Sequence, residues 1–396
     1  MTSEQNNRPL PQGWRWVRLG EVCEQDRRIV EPCSDVGAVL PYLSLEHVES
    51  NTGRILREPA ERVQDEGKST TFAFDSRHVL YGKLRPYLNK VALPDFAGRC
   101  TTEIIPLLPK NETDRHYLAW LLRRDETVNA AMRQRTGSRM PRVDMDDLLS
   151  LQIPLPPPEE QKRIAAILNE QMAAAERARA AAEARLEAAK ALPAAYLRAV
   201  FSSPEAQQWP MRRLREVCEF LDSRRVPVND SDRAKRTAGK KESELFPYYG
   251  ANGQVGWIDG YLFNEPLILL AEDGGNFGSA DRPIAYDVRG RYWVNNHAHV
   301  LRPRDGVDFD FCLQALRIRP DVGDLVSGST RAKLNQEIAA SIPIPLPPLE
   351  EQKRIAAMLN EQTASAEQAR KAIEQELDTV NKLPAALLRR AFNGEL

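Results

Sequence analysis

The chain has 396 residues, enough for two or three domains with separate hydrophobic cores, because single cores stop growing at about 250–300 residues. Its 55 Lys plus Arg residues nearly balance its 56 Asp plus Glu residues, so net charge alone excludes neither a nucleic-acid partner nor a protein partner. The five cysteines lack Cys-x-x-Cys spacing and no apolar run has the length of a membrane span, which argues against a zinc ribbon, a disulfide framework and a membrane anchor and predicts a soluble cytoplasmic protein.

Residues 1–152 predict a first domain of mixed α/β structure. Short runs of β-branched and aromatic residues predict strands near 42–45, 79–81 and 104–108, and a helix is predicted at 116–124. Lys and Arg side chains can donate two hydrogen bonds to a guanine edge, and the candidates for base reading are Lys83, Arg85 and Arg99. Backbone amides and guanidinium groups around the turn at 136–138 suit a phosphate contact, with candidates Arg135, Ser138, Arg139 and Arg142.

A first helical spacer is predicted at 153–203. The proline run at 154–158 is stiff and cannot enter a helix interior, whereas residues 159–192 are mainly Ala, Glu, Arg, Lys and Leu, all strong helix formers. Proline at the start and acidic residues in the first turn favour a helix that begins here. We expect a rod about 45 Å long at 1.5 Å per residue, broken or kinked at Pro193.

Residues 204–343 predict a second mixed α/β domain, with strands near 267–270, 292–294 and 299–301 and a helix at 311–317. Asparagine side chains pair well with adenine, tyrosines can stack, and a second Ser-Gly-Ser turn with basic neighbours again suits phosphate. These criteria select Tyr248, Tyr249, Asn252, Asn295, Asn296, Ser329, Arg331 and Lys333 as candidate DNA contacts. For the asparagines and tyrosines, a turn asparagine or a core tyrosine remains an equal alternative.

Residues 344–396 repeat the first spacer. Ile153-Pro-Leu-Pro-Pro-Pro-Glu-Glu-Gln-Lys-Arg-Ile-Ala-Ala returns as Ile344-Pro-Leu-Pro-Pro-Leu-Glu-Glu-Gln-Lys-Arg-Ile-Ala-Ala, and about two-thirds of the positions are identical as far as Phe201 and Phe392. Fainter repeats keep the same order, whereas the sequences between them differ. The chain therefore contains two half-molecules in the order domain, helix, domain, helix, with a different insert in each.

The two spacers share an alternating four-and-three spacing that is typical of the a and d positions of a coiled coil. We expect them to pair as an antiparallel coiled coil, with Pro384 breaking or kinking the second rod. The predicted seam comprises Ile164, Leu168, Gln171, Ala175, Ala178, Ala182, Arg185, Ala189 and Leu192, and Ile355, Leu359, Gln362, Ala366, Ala369, Ile373, Glu376, Val380 and Leu383.

Motifs for catalysis are not recognisable in the sequence. The two Pro-Pro sites lack the preceding Asn or Asp and the following aromatic residue of an amino-methyltransferase, and Ile105 occupies the position where a nuclease motif needs lysine. His297 and His299 share one face of a predicted strand without a third ligand at recognisable spacing, so a structural or DNA-facing role is favoured over a metal site. We predict a non-catalytic protein with no cofactor or metal of its own.

The chain resembles the specificity subunits of type I restriction-modification systems over nearly its whole length. The resemblance depends on the repeated spacer signature and on Tyr81-Gly-Lys-Leu-Arg-Pro-Tyr-Leu, Phe246-Pro-Tyr-Tyr-Gly-Ala-Asn-Gly, Leu270-Ala-Glu-Asp-Gly, Asn295-Asn-His-Ala-His-Val-Leu and Ala391-Phe-Asn-Gly-Glu-Leu. It implies two target-recognition domains that each read half of an asymmetric bipartite site in double-stranded DNA, with the paired helices setting the gap between the halves.

The resemblance also implies two methyltransferase subunits that modify adenine with S-adenosylmethionine, and restriction subunits that use ATP, so that these cofactors belong to the partners. It places methyltransferase contacts on exposed charges at the start of each spacer, namely Glu160, Lys162, Arg163, Glu351, Lys353 and Arg354. These side chains are equally explained as solvent-facing helix charges. A coiled-coil adaptor that binds proteins, and an enzyme with an unrecognised site, are the alternatives.

Overall fold

The computed structural model describes residues 10–56, 69–133, 135–136, 140–273, 277, 283–318 and 333–396. The chain forms two compact units, residues 1–182 with 376–396 and residues 183–375, called the first and second unit below. The unit boundaries fall inside the two long helices, so each unit combines one α/β domain with parts of both helices. Four predicted phosphate contacts, Ser138, Arg139, Ser329 and Arg331, lie outside the described residues.

The first unit is built on a four-stranded antiparallel sheet with the strand order β2-β9-β6-β7. The helix that follows this sheet is capped by Asp114, whose carboxylate accepts hydrogen bonds from the backbone amides of His116 and Tyr117. The elements of this framework are β1 (Arg15–Arg18), α1 (Leu19–Val22), β2 (Cys23–Gln25), β6 (Val79–Gly82), β7 (Val91–Ala92), β9 (Ile104–Pro109), α2 (Arg115–Arg123), α3 (Asp125–Arg133), α4 (Met145–Leu149) and β12 (Gln152–Leu155). Strands β1 and β12 pair antiparallel.

A second sheet in the first unit has the order β3-β5-β8-β4. Its buried side chains Leu43, Phe74 and Cys100 form a hydrophobic cluster with Leu80 and Ile104 of the first sheet, and none of the described residues of the long helices belongs to that cluster. The remaining strands are β3 (Ile29–Val30), β4 (Tyr42–Leu43), β5 (Thr71–Phe74), β8 (Gly98–Thr101), β10 (Arg135–Thr136) and β11 (Arg142–Val143).

The second unit repeats the framework with a four-stranded antiparallel sheet, β14-β20-β17-β18, and Asp308 caps the equivalent helix by accepting from the Phe311 amide. Its other sheet has three strands in the order β16-β15-β19. The elements are β13 (Met211–Arg213), α6 (Leu214–Val217), β14 (Cys218–Phe220), α7 (Asp230–Thr237), β15 (Phe246–Gly250), β16 (Gly253–Ile258), β17 (Leu267–Ala271), β18 (Ala285–Val288), β19 (Trp293–Val294), β20 (Ala298–Pro303), α8 (Phe309–Arg317), α9 (Gln336–Ser341) and β21 (Pro343–Pro345). The predicted mixed α/β class is confirmed.

The two long helices are α5 (Pro158–Phe201) and α10 (Leu349–Phe392), each of 44 residues. At 1.5 Å per residue each is about 66 Å long. Pro193 and Pro384 do not break the rods, because both prolines lie inside a continuous helix. The alternative, a kink at these prolines, stays a prediction. A proline inside a helix removes one backbone hydrogen bond, and here the side chains that follow it bury apolar surface, which compensates for that loss.

Within each unit the beginning of one long helix packs beside the end of the other, as expected for an antiparallel pair. In the first unit Leu168 belongs to the same hydrophobic cluster as Phe392, whose ring lies 5.3 Å from that of Tyr117. In the second unit Leu359 belongs to the same cluster as Phe201, whose ring lies 5.6 Å from that of Phe311. The predicted antiparallel helix pairing is therefore confirmed.

One of the two predicted seam series is correct. The other is correct at its first members, Ile164 and Ile355, and is displaced by one residue further along each helix. The buried positions in α5 include Leu168, Ala175, Ala182 and Ala189, which are seven residues apart as predicted. The intervening positions are exposed at Gln171, Ala178 and Arg185, whereas the half-buried side chains are Met172, Arg179 and Leu186. In α10 Ala369 and Glu376 are likewise exposed while Arg370 and Leu377 are half-buried. At Met172, Leu186 and Leu377 a larger apolar side chain explains the difference, because it removes more surface from water. Arg179 and Arg370 are instead paired with Glu176 and Glu367 on their own helices.

Among the helices of the described residues, none is both long and apolar enough to cross a membrane. The cysteines are all present as free thiols, and four of the five are buried. Cys218 and Cys312 lie with their sulfur atoms 3.5 Å apart in the second unit. A hydrogen bond between them, together with burial, raises the pKa of Cys218.

Candidate nucleic-acid interface

Three separate stretches of the first unit come together at one edge. The backbone amide of Val143 donates to the Lys83 carbonyl over 2.9 Å, and the Arg85 amide donates to the Pro141 carbonyl over 2.7 Å. On the other side, β10 pairs antiparallel with β11, with Arg135 opposite Val143. The stretch 83–85, strand β11 and strand β10 thus lie side by side, and four predicted contacts, Lys83, Arg85, Arg135 and Arg142, share this edge.

The side chains at this edge differ in how they are held. Arg142 is paired with Glu103, with 3.1 Å between Nη2 and Oε1, and the hydrogen bond to this carboxylate raises the pKa of Arg142. Arg85 is exposed and adopts a φ of 53°, in the left-handed region that is unfavourable for a residue with a Cβ. Such conformations persist where surrounding structure imposes them and are frequent at functional sites. The edge therefore presents an exposed guanidinium beside a charge-paired one.

Arg99 does not lie at this edge. It is in β8 with 4% of its surface exposed, its Nε donates to the Gly37 carbonyl over 3.0 Å, and its guanidinium lies 4.9 Å from the centre of the Tyr42 ring. These contacts join two segments inside the first unit. In this structure Arg99 is placed to stabilise the domain, and its side chain does not reach a surface from which it can read a base.

In the second unit the predicted asparagines lie around the end of one hairpin. The Asn295 amide donates to the Tyr249 carbonyl over 3.0 Å, and β15 pairs in parallel with β19, which ends at Val294. Asn252 lies in the turn between β15 and β16 and is exposed, as is Asn296. Asn295 itself is buried, and its Oδ1 accepts from the His297 amide, so it serves as a turn residue.

The two neighbouring tyrosines have different roles. Tyr248 has 2% of its surface exposed, and its hydroxyl bonds to both the amide and the carbonyl of Val228 at 3.0 Å. Tyr249 is half-buried, with its ring 5.8 Å from that of Tyr292. The alternative of a core tyrosine applies to Tyr248. The Tyr249 carbonyl accepts from the Asn295 amide, directly after the end of β19.

A cluster of charged side chains surrounds His299 in the second unit. Its Nδ1 lies 2.6 Å from Asp222 and 3.8 Å from Glu272, and its Nε2 lies 2.8 Å from the Leu334 carbonyl. Three such groups within reach of one another have the composition of a metal site. However, Arg225 lies 2.6 Å from Glu272 and 3.4 Å from Asp222, so both carboxylates already pair with a protein cation.

Lys333, a predicted phosphate contact, extends the same ion-pair network, with 3.2 Å between its Nζ and Glu272. His297 lies 2.7 Å from Asp273 and is half-exposed. The favoured structural interpretation suits His299, which is buried. The carboxylate partners of the two histidines come from other segments, so sequence spacing does not reveal them.

The predicted partner contacts have the same geometry in both units. Lys162 pairs with Glu159 at 2.8 Å and Arg163 with Glu160 at 2.7 Å, and the corresponding distances at the start of α10 are 2.8 Å and 2.6 Å. The lysine and arginine side chains are exposed. The hydrogen bond from Arg163 lowers the pKa of Glu160, and that from Arg354 lowers the pKa of Glu351.

An aromatic surface near the hairpin of the second unit was not singled out by sequence reasoning. Trp257 on β16 is 40% exposed and Tyr261 is 45% exposed, and the guanidinium of Arg291 lies 5.1 Å from the centre of the Tyr261 ring. Aromatic rings and arginines that are exposed together are typical of nucleic-acid surfaces. Val255 and Trp257 lie two residues apart on the edge strand β16 and both face outward, which the sequence Gly-Gln-Val-Gly-Trp-Ile does not indicate by alternating polar and apolar residues.

The chain is similar to known proteins in sequence and in fold. The model of the type I restriction modification DNA specificity domain matches residues 11–181 and 206–378. A putative type I restriction enzyme specificity subunit of Haemophilus influenzae is 31% identical over 160 residues, which span 40% of this chain and only 39% of that protein.

Two solved structures resemble the whole chain. A chain from a structure concerned with complex assembly and conformational transition of the type I R-M system has a TM-score of 0.75 at 26% identity, covering 98% of this chain and 100% of that one. The HsdS subunit of Thermoanaerobacter tengcongensis has a TM-score of 0.68 at 25% identity, covering 98% and 99%. With two domain matches that together span most of its length, the chain belongs to the type I restriction modification DNA specificity family.

Proposed function

We propose that this chain is the DNA sequence-specificity subunit of a cytoplasmic type I restriction-modification complex and that its two domains read the two halves of an asymmetric bipartite site. The observation that best supports this is the combination of one repeated framework with two different outer sheets. A repeated enzyme would repeat its active site. Two domains that recognise two different half-site sequences need the same framework and different DNA-contact surfaces.

In the first unit the reading surface is the edge formed by Lys83, Arg85, Arg135 and Arg142. Exposed Arg85 and half-exposed Lys83 suit bidentate bonds to guanine, and Arg142, already paired with Glu103, suits a phosphate contact. In the sequence Ser138 and Arg139 lie between β10 and β11, the two strands that pair at this edge, so we assign those residues to the phosphate contact as well.

In the second unit the reading surface surrounds the hairpin turn, with Asn252 and Asn296 as base contacts and Tyr249 and Trp257 as aromatic neighbours. Asn amides pair well with adenine edges. Lys333, together with Ser329 and Arg331, supplies phosphate contacts. Asn295 and Tyr248 shape this surface from within and do not read bases.

We propose further that the chain scaffolds two methyltransferase subunits and the restriction subunits, and that it catalyses nothing alone. The repeated charged surfaces at the start of α5 and α10 support two equivalent docking places, formed by Glu160, Lys162 and Arg163 and by Glu351, Lys353 and Arg354. S-adenosylmethionine and ATP would bind to those partners. The paired helices would set the gap between the two DNA words.

Mapping of DNA methylation in the native host, with and without this gene, tests the proposal. We expect one bipartite adenine mark to disappear on deletion and to return on complementation. If deletion removes no bipartite mark, the proposal is wrong. Retention of the purified chain on duplex DNA that weakens with rising salt separates a DNA reader from a protein adaptor, because phosphate contacts release counterions. Methyl transfer by the chain alone would contradict the absence of catalysis.

A further inference from the structure

We infer that Gln161 with Asn169, and Gln352 with Asn360, are positioning residues that attach each recognition domain to its long helix at two points and so fix the angle of the domain. This inference rests on the proposed function only for its consequence on DNA. The four side chains belong to the repeated spacers, and each contacts the α/β domain of its own unit.

The first attachment point is a buried glutamine near the start of each long helix. Gln161 has 2% of its surface exposed, and its Oε1 accepts from the Asp114 amide over 2.9 Å while its Nε2 donates to the Pro156 carbonyl over 2.9 Å. Asp114 is the residue that caps helix α2. One amide side chain therefore joins the first turn of the domain helix to the entry of the long helix.

The second unit has the same arrangement. Gln352 is 1% exposed, its Oε1 accepts from the Asp308 amide over 2.8 Å, and its Nε2 donates to the Pro347 carbonyl over 2.8 Å. Asp308 caps α8. A glutamine is suited to this position because it both donates and accepts, whereas ionised glutamate lacks the donor and methionine lacks the donor and is only a weak acceptor.

The second attachment point lies eight residues further along each long helix. In the first unit the indole Nε1 of Trp120 donates to Asn169 Oδ1 over 2.8 Å. In the second unit the amide Nε2 of Gln314 donates to Asn360 Oδ1 over 3.1 Å. The donors differ in chemistry, yet each lies six residues after the capping aspartate on its domain helix. The asparagine acceptors occupy equivalent places in the repeated sequence.

Two points determine the direction of one helix relative to another, whereas a single point leaves rotation about it. At 1.5 Å per residue, the points lie about 12 Å apart on the long helix and about 9 Å apart on the domain helix. The glutamine bonds are shielded from water, so breaking them leaves buried backbone groups unsatisfied. The nearby ion pairs of Lys162 and Lys353 are exposed and constrain the angle much less.

This attachment predicts a specific loss in Gln161→Met and Gln352→Met. The intact complex with its own methyltransferase subunits would be assayed on DNA that contains the two native words at a series of gap lengths. We expect methylation at gaps one base pair too long or too short, relative to the native gap, to rise about tenfold, which corresponds to about 1.4 kcal/mol. The preferred words should not change, because the reading loops are untouched.

The matched controls are Glu170→Gln and Glu361→Gln, exposed positions that follow the second attachment point in each helix. They should leave the gap preference unchanged. If the glutamine variants lower methylation equally at every gap, the side chains only stabilise the fold and the inference is wrong. A wild-type complex that marks no bipartite site would overturn the proposed function, and with it the consequence for the gap.

Hydrogen exchange of the full chain tests the attachment without DNA, and its first measurement uses the unmodified protein. We expect slow exchange of the Asp114 and Asp308 amides in the unmodified protein. Gln161→Glu should preserve slow exchange at Asp114, because it retains the acceptor, while Gln161→Met should accelerate it at least tenfold. Fast exchange at both amides in the unmodified chain would overturn the inference.

Discussion

The two units resemble each other where they meet the long helices and differ away from them. Both have a four-stranded antiparallel sheet, a capped helix, and a short strand pair at the domain entrance. Even a small detail is repeated, since the Arg18 amide donates to Glu21 and the Arg213 amide to Glu216. The outer sheets share neither strand number nor order.

This difference shows where sequence change is structurally tolerated. Framework side chains belong to the hydrophobic clusters that include α5 and α10, so a change there alters the contact with a helix. The outer sheets belong to other clusters, which they share with framework strands through residues such as Leu80 and Leu269 and which contain none of the described long-helix residues. Changes in the outer sheets therefore leave the contacts with the long helices in place.

The largest expected effect tests whether the two domains pack on the long helices in an equivalent way. Leu168→Ala and Leu359→Ala remove side chains that are 0% and 1% exposed at repeated positions. Each should lower the free energy of unfolding of its unit by about 2–5 kcal/mol, because a buried leucine leaves a cavity. Denaturant titration measures this, with Leu383→Ala, at 39% exposure, as the control that should change little. If only one of the two leucine variants lowered the free energy of unfolding, the two units would not be equivalent at this position.

The next prediction concerns the independence of the outer surfaces. Arg85→Ala should weaken binding by about 1–3 kcal/mol and relax recognition of the first word only, and Asn296→Ala should do so for the second word only. Binding to duplexes with single-base changes in each word measures this. Arg77→Ala, an exposed arginine of the first unit outside the proposed surface, serves as the control. Equal relaxation of both words by either variant would contradict separate readers.

An effect of similar size, on stability instead of DNA binding, separates a side chain that shapes the hairpin of the second unit from one that contacts DNA. Tyr248→Phe removes the hydroxyl that bonds to Val228 and should cost about 1–3 kcal/mol of stability, because a buried backbone group is left unsatisfied. DNA words should be unchanged. The matched variant Tyr249→Phe removes the hydroxyl of a half-buried ring. If Tyr248→Phe changed the second half-site sequence without loss of stability, Tyr248 would be a DNA contact and not a core tyrosine.

The smallest expected effect concerns the repeated charged surfaces. Glu160→Gln should lower stability by only about 0.3–0.5 kcal/mol at pH 7, because the pair with Arg163 is largely exposed to water. Since the folded pKa of Glu160 is lowered, this contribution is present above about pH 4.3 and is lost as the pH falls through the lowered value. The free energy of unfolding of Glu160→Gln and of the unmodified chain, compared at pH 7 and at a pH below the lowered pKa, measures this, with Glu170→Gln as the control. A difference that persisted in acid would exclude the ion pair as its cause.

The sequence alone determined the duplicated organisation, the mixed α/β class and the antiparallel helix pairing. Repetition and helix-forming composition are local properties, so they are readable without coordinates. The same patterns placed the start of both helices correctly, because proline and acidic residues act within the first turn.

Only the tertiary structure decided which candidates face outward and which neighbours they have. Arg85 and Arg99 are the same residue type on the same domain, yet one is exposed and the other is 4% exposed beneath Gly37 and Tyr42. Gln161 looks like any polar helix residue until Asp114, 47 positions away, supplies its bonding partner. Burial and hydrogen-bond partners depend on segments distant in sequence, which is the physical reason that residue type and spacing could not assign them.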